Sequence, residues 1–184
     1  SSGIILNMCA LGGSLQPSAT LPIIFQKSGA GANPLITAGA GTGSVDVIFG
    51  MAGTDYVTID GIDLAENAGN TTATTKMEWG YVLTGCSDID GAQYNTVKNC
   101  VVTLDKSNTN STVGIAIYSV SIGTFAAAVP VTNISGTNSY NKIYSNTVTN
   151  SLHGIRVRGF DDPNIPYALY DQDNEIGAVG QGNT

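Results

Sequence analysis

The sequence predicts an all-β domain built from short strands that recur in a fixed order, and three observations lead there. One pattern, asparagine then any residue then Ile or Val, appears as YNTVKNCVV (94–102), YNKIYSNTV (140–148) and DNEIGAV (173–179), with an earlier relative in YVTIDGIDL (56–64). A second, glycine followed by alternating apolar positions, appears as GYVL (80–83), GIAI (114–117) and GIRV (154–157), and the two patterns alternate along the chain. The segments are short, rich in Val, Ile, Thr and Tyr, and broken by Gly, Asn and Asp, while no stretch shows the three-and-four apolar spacing of a long helix.

Each element follows from its alternation. In YVTIDGIDL, Val57, Ile59, Ile62 and Leu64 are expected inside, with a change of phase at Gly61. In YNKIYSNTV, Ile143 and Val148 point inward and Asn146 sits at a corner. In HGIRVRG, Ile155 and Val157 face in, His153 shares their parity, and Arg156 and Arg158 face out. One such unit cannot bury its apolar face alone, so units stack into a solenoid of parallel sheets, with asparagines at equivalent corners forming hydrogen-bonded ladders. Uneven repeat spacing marks insertions at 65–78, 105–113, 121–138 and 160–172, expected to project as loops. The glycine-rich stretch 27–44 lacks the Gly-Lys-Ser/Thr ending of a phosphate loop and reads as tight turns between the first units.

DYVTIDGIDL, YNTVKNCVV, YNKIYSNTVTNSLHGIRV and DNEIG together resemble the coils of right-handed parallel β-helix proteins of the pectate-lyase-like superfamily, in the style of large secreted or surface proteins of Bacteroidetes-type bacteria. PIIFQKSGAGANPLITAG (22–39) is similar to the opening of such a domain. The resemblance implies one β-helix domain over 1–184, with six to eight coils and residues 1–20 as its N-terminal edge, outside the resemblance. It also implies an extracellular or cell-surface location. No capping helix is visible at either end, so the chain is expected to be a segment of a longer protein or a subunit whose ends are covered by partners.

Composition excludes several classes of function. The 184 residues carry a formal charge of -7 with only seven Lys and Arg, too few and too scattered for nucleic acid or an anionic membrane surface. No apolar run approaches the length of a membrane-spanning helix. Cys9, Cys86 and Cys100 show no metal-binding spacing, which leaves two readings: three small buried hydrophobes, or one bridge, Cys86–Cys100, with a cysteine left over.

Chemistry concentrates in SLHGIRVRGFDDPN (151–164), which holds the only histidine and the only two arginines. Arg156 and Arg158 lie on one outward face, about 7 Å apart by strand rise. The resemblance implies that such an arginine, with Ca²⁺ held by aspartates, could serve a polysaccharide lyase, and Asp60 and Asp63 are the strand carboxylates of a comparable coil. A hydrolase of the polygalacturonase kind is not expected, because His153-Gly154 precedes the Asp161-Asp162 pair and the order is reversed. Asp161, Asp162, Asp171, Asp173 and Glu175 supply hard oxygen donors for a structural calcium. The alternative is arginines paired with loop aspartates and no chemistry at all. Phe160, Tyr167 and Tyr170 on one loop, and Trp79 with Tyr81 beside a glycine turn, are candidate platforms for sugar rings. The expected function is a non-catalytic extracellular scaffold or adhesion segment that contacts glycans through its loops, with no cofactor. The alternatives are a calcium-dependent lyase, and a structural subunit that associates end to end.

Overall fold

The computed structural model describes residues 3–9, 16–120 and 128–184, so part of the N-terminal edge and residues 121–127 of the third insertion lie outside the described residues. The chain is all-β. Its strands are β1 (Ile4–Asn7), β2 (Ile23–Gln26), β3 (Leu35–Thr37), β4 (Val47–Ala52), β5 (Val57–Asp60), β6 (Asp63–Ala65) and β7 (Trp79–Thr84). They continue as β8 (Thr96–Lys98), β9 (Val101–Thr103), β10 (Val113–Tyr118), β11 (Lys142–Tyr144), β12 (Thr147–Thr149), β13 (His153–Arg158) and β14 (Glu175–Ile176).

Three parallel sheets result, ordered β1-β4-β7-β10-β13, β2-β5-β8-β11-β14 and β3-β6-β9-β12. Each sheet takes every third strand, so the chain visits the sheets in rotation and lays each circuit on the last. Among the described residues the chain makes five circuits rather than six to eight, because the insertions lengthen them.

The turn from the second sheet to the third is made by one left-handed residue: Gly61, Asn99 and Ser145, with φ of 67°, 56° and 56°. Glycine takes that conformation freely and asparagine more readily than most residues, Ser145 is held in it by the same corner, and the turn shifts the alternation by one residue. Val57, Ile59 and Leu64 are accordingly buried, with Ile62 packed against them. Ile143 is buried and Val148 half-buried against the same core, as expected.

Asparagine ladders fix the corners. The Asn95, Asn141 and Asn174 amides donate to the carbonyls of Thr54, Ala92 and Asn138 in the preceding circuit at 2.6, 2.8 and 2.8 Å. Their side-chain oxygens accept from the backbone N–H groups of Val57, Asn95 and Asn141 at 3.0, 3.0 and 2.9 Å. A second ladder uses Asn146 and Asn183, which accept from Cys100 and Asn146 and donate to Val97 and Ile143. Each side chain thus satisfies a donor and an acceptor that the corner would otherwise bury unpaired.

The glycine repeat has a steric cause. A Cβ on Gly80 would lie 2.6 Å from the Val102 side chain, and one on Gly114 would crowd Val148 and sit 2.8 Å from the Gly154 carbonyl. Two successive residues therefore face the interior here, glycine and its follower, and the parity before it is reversed. Val47, Trp79 and Val113 join Val82, Ala116 and Tyr118 in a second apolar cluster on the outer side of the first sheet. His153 registers with Val113 and so falls on this outer side, not on the inner side with Ile155.

The insertions hold one another rather than projecting freely. Lys76, at the end of 65–78, pairs with Asp105, while Asn108 and Asn110 donate to the buried Glu78 carboxylate at 2.9 and 3.1 Å. Thr132 donates to Asp88 at 2.6 Å and Ser135 to the Ile89 carbonyl at 2.7 Å, tying the third insertion to residues 88–89.

Candidate functional site

The outer face of β13 carries His153, Arg156 and Arg158 at the edge of the first sheet. One circuit back, Tyr118 stands at the end of β10, opposite Arg158 in register. Both guanidinium groups lie over its ring, 5.3 Å from the centroid for Arg156 and 5.4 Å for Arg158. Arg158 also donates to the Tyr118 hydroxyl at 2.8 Å. Trp79 supports the ring from behind at 5.0 Å between centroids. The pair is thereby held in place by cation–π attraction and one hydrogen bond.

The expected pairing with loop aspartates is not what forms. Among the described residues the ion pairs are Lys76–Asp105, Lys98–Asp60 and Lys142–Glu175, and neither arginine takes part. Asp162 instead accepts backbone N–H groups of Asn164 and Leu169, both at 2.9 Å, which hold its carboxyl below the usual range. Asp171 accepts the Asn138 N–H at 2.8 Å with its other oxygen buried and unpaired, and burial pushes its carboxyl up to about 6. Glu175 serves Lys142 on the second sheet. Among the described residues no three acidic, histidine or cysteine side chains are grouped to hold a metal, so Asp161, Asp162, Asp171, Asp173 and Glu175 are not gathered into the calcium site expected of them. Asp60 and Asp63 lie on the second and third sheets, away from the arginines. They are engaged by Lys98 and Asn99, and by Asn33 and the Val101 N–H.

The two aromatic platforms divide. Trp79 and Tyr81 are buried, Tyr81 completely, with its ring 5.6 Å from Phe49 and its hydroxyl donating to the Ile62 carbonyl at 2.8 Å. Neither can receive a sugar, because the strand that carries them is covered on both faces. Tyr167 and Tyr170 are 55% and 52% exposed, and Phe160 is half-buried. Their loop leaves β13 at Gly159 and returns there, since a Cβ on Gly159 would lie 3.2 Å from the Asp171 carboxylate. Tyr170 therefore adjoins one side of that contact and Arg158 the other.

Two features were not read from the sequence. Cys9 pairs with Cys86, not Cys86 with Cys100, which stays buried and reduced. Cys9 follows β1 and Cys86 follows β7, on either side of β4, and Gly53 after β4 clears the way: a Cβ there would lie 2.5 Å from the Cys86 sulfur. The second is a stack of Tyr56, Tyr94 and Tyr140, with centroids 4.7 Å apart at each step and rings within 8° of parallel. All three have positive φ, as does Asp173 at the next equivalent corner. The tyrosine that opens YVTIDGIDL, YNTVKNCVV and YNKIYSNTV was the available signal. Beside this stack, burial pushes Asp55 up to about 6, with Asp90 nearby adding to the rise.

Fold and site together define an all-β protein of three parallel sheets with a cationic, aromatic-backed strand at one edge. No helix among the described residues is long and apolar enough to cross a membrane. No protein family matches the sequence, and comparison with curated proteins and with solved structures finds no match.

Proposed function

We propose that the chain is a right-handed parallel β-helix of the pectate-lyase-like kind that acts as a non-catalytic extracellular scaffold or adhesion segment. It contacts acidic glycans through the outer face of β13 and the 160–172 loop. The observation that carries this reading is the pair of guanidinium groups fixed over Tyr118 with no carboxylate partner among the described residues, in a chain of net charge -7. A guanidinium already ordered and free of an internal anion presents its donors to a carboxylate or sulfate at reduced entropic cost. Tyr167 and Tyr170 add flat apolar faces of the kind that sugar rings stack on. The Cys9–Cys86 disulfide supports an oxidising, extracellular setting. The lyase alternative is disfavoured by the placement of Asp60 and Asp63 on other sheets than the arginines.

The test is affinity electrophoresis of the 184-residue chain through gels containing a polyuronate, a sulfated glycan or a neutral glucan. Retardation by the acidic polymers only, weakened in Arg158→Ala and in Tyr167→Ala with unchanged circular dichroism, is the expected result. Equal mobility in all gels sinks the glycan reading. Release of unsaturated uronate from the polyuronate would replace it with the lyase.

A further inference from the structure

The second sheet is entered through a corner where Tyr56, Tyr94 and Tyr140 stack on one another, each in the left-handed region with φ of 53°, 58° and 62°. A bulky side chain is strained there, and the corner at Gly61, Asn99 and Ser145 carries small residues instead. Burial does not offset that strain, since Tyr94 is 41% exposed and Tyr56 and Tyr140 are only half-buried. Nor is parallel face-to-face stacking the arrangement that aromatic pairs prefer; the 4.7 Å step is that of the strands beneath. The ring faces are taken up by their neighbours, so the ladder presents a straight row of ring edges, parallel within 8° and two steps of 4.7 Å long. Carboxylates surround it. Asp55 precedes Tyr56 and bridges to Gln93, and Asp90 acts on Asp55. The Tyr94 hydroxyl holds its proton above the ordinary range, through desolvation first and then through Tyr56, Tyr140 and Asp55. Register places Asp173 in the same column, one step beyond Tyr140. In the adjoining outward column Thr58 and Thr96 are neutral, and Lys142 is engaged by Glu175 at 3.3 Å.

We propose that the tyrosine ladder binds a flat, conjugated, positively charged aromatic compound, laid lengthwise over Tyr56, Tyr94 and Tyr140 with its cationic group beside Asp55. Each part of that description follows from the surface. Ring edges carry the positive end of the aromatic quadrupole, so they pack well against the face of another π-system, and a ligand lying flat on the row meets three edges at once. A straight row of two 4.7 Å steps suits a rigid linear molecule of comparable length. Asp55, Asp90 near it and Asp173 in the column, with Lys142 already paired, select a cation over an anion. A sugar does not fit, because it stacks on ring faces and these are occupied. A peptide strand does not fit either, because β5, β8 and β11 beneath the ladder are each paired on both sides. The site lies on the second sheet, whereas Arg156 and Arg158 lie on the first, so the inference is independent of the glycan reading.

Titration of the 184-residue polypeptide with thioflavin T, a flat benzothiazolium cation, tests it at pH 7.5 after aggregates are removed by centrifugation. That pH lies above the value of about 6 to which burial pushes Asp55, so its carboxylate is charged. The expected result is a saturable rise in fluorescence at one dye per chain, with affinity about tenfold lower in Tyr94→Asn. Asparagine keeps the left-handed corner while removing the ring, so circular dichroism is expected to be unchanged, and Tyr140→Asn makes the same test one rung along. Asp55→Asn is expected to weaken the dye about threefold. A neutral benzothiazole aniline of the same shape is expected to bind more weakly and to ignore Asp55→Asn. The absence of saturable binding in the wild type overturns the proposal, as does undiminished binding in both tyrosine variants or indifference of the cationic dye to Asp55→Asn. Equally tight binding of the anionic anilinonaphthalene sulfonate, lost in the same tyrosine variants, overturns it too.

Discussion

Asn141 shows what a single side chain does in this chain. It is fully buried, donates to the Ala92 carbonyl, and accepts from both the backbone N–H and the side-chain amide of Asn95. Asn141→Ala leaves those groups buried without partners, and a loss of about 3 kcal/mol in urea unfolding is expected. Thr149→Ala, at the exposed face of β12, is expected to stay within about 0.5 kcal/mol. Asp55 and Asp171 set a pH window. Both hold their proton more tightly folded than unfolded, near 6 against an ordinary 3.8. Their contribution to stability is therefore full below about 4 and is lost as pH rises through 6. Asp105, pulled down to about 2 chiefly by Lys76, acts oppositely and in a lower window, losing its contribution as pH falls below 3.8. Urea midpoints measured between pH 4 and 7 should decline with rising pH, and less steeply in Asp171→Asn.

At the scale of the element, the glycine repeat separates two kinds of glycine. Gly114 faces the Val148 side chain, whereas a Cβ on Gly154, its equivalent on β13, meets nothing within 4 Å. Gly114→Ala is expected to destabilise by about 2 kcal/mol through overpacking, and Gly154→Ala to be neutral or slightly stabilising, both read from urea unfolding. The difference arises because, among the described residues, β13 is the outermost strand of the first sheet and no side chain packs on Gly154. The same edge explains Val157, which has the inward parity its alternation assigns yet remains half exposed.

For the whole molecule, the Cys9–Cys86 bridge ties the first circuit to the third across 77 residues of sequence. Closing a loop of that length restricts the unfolded chain by about 4.5 kcal/mol. Reduction with dithiothreitol should lower the urea midpoint accordingly, while Cys100, buried and unpaired, should label with a thiol reagent only on unfolding. Stability spread over repeated circuits also means that protection varies along the stack, and hydrogen exchange should be slowest in β7, which is paired on both sides and buried throughout.

The repeat was legible because parallel stacking demands the same residue at the same corner. Asn95, Asn141 and Asn174 answer one backbone geometry three times, and Gly80 and Gly114 answer one steric clash twice. By itself the sequence determined the strand class, the inward residues of YVTIDGIDL and the asparagine ladders, since these depend on alternation and local turn chemistry. Tertiary structure alone decided that Tyr81 lies in the core, that His153 faces out, that Cys9 finds Cys86, and that Arg156 and Arg158 settle on Tyr118 rather than on a loop aspartate. Each of those is a contact between circuits tens of residues apart. Its partner is chosen by register and by which face the neighbouring insertion covers, and neither quantity is written in the local pattern of either residue.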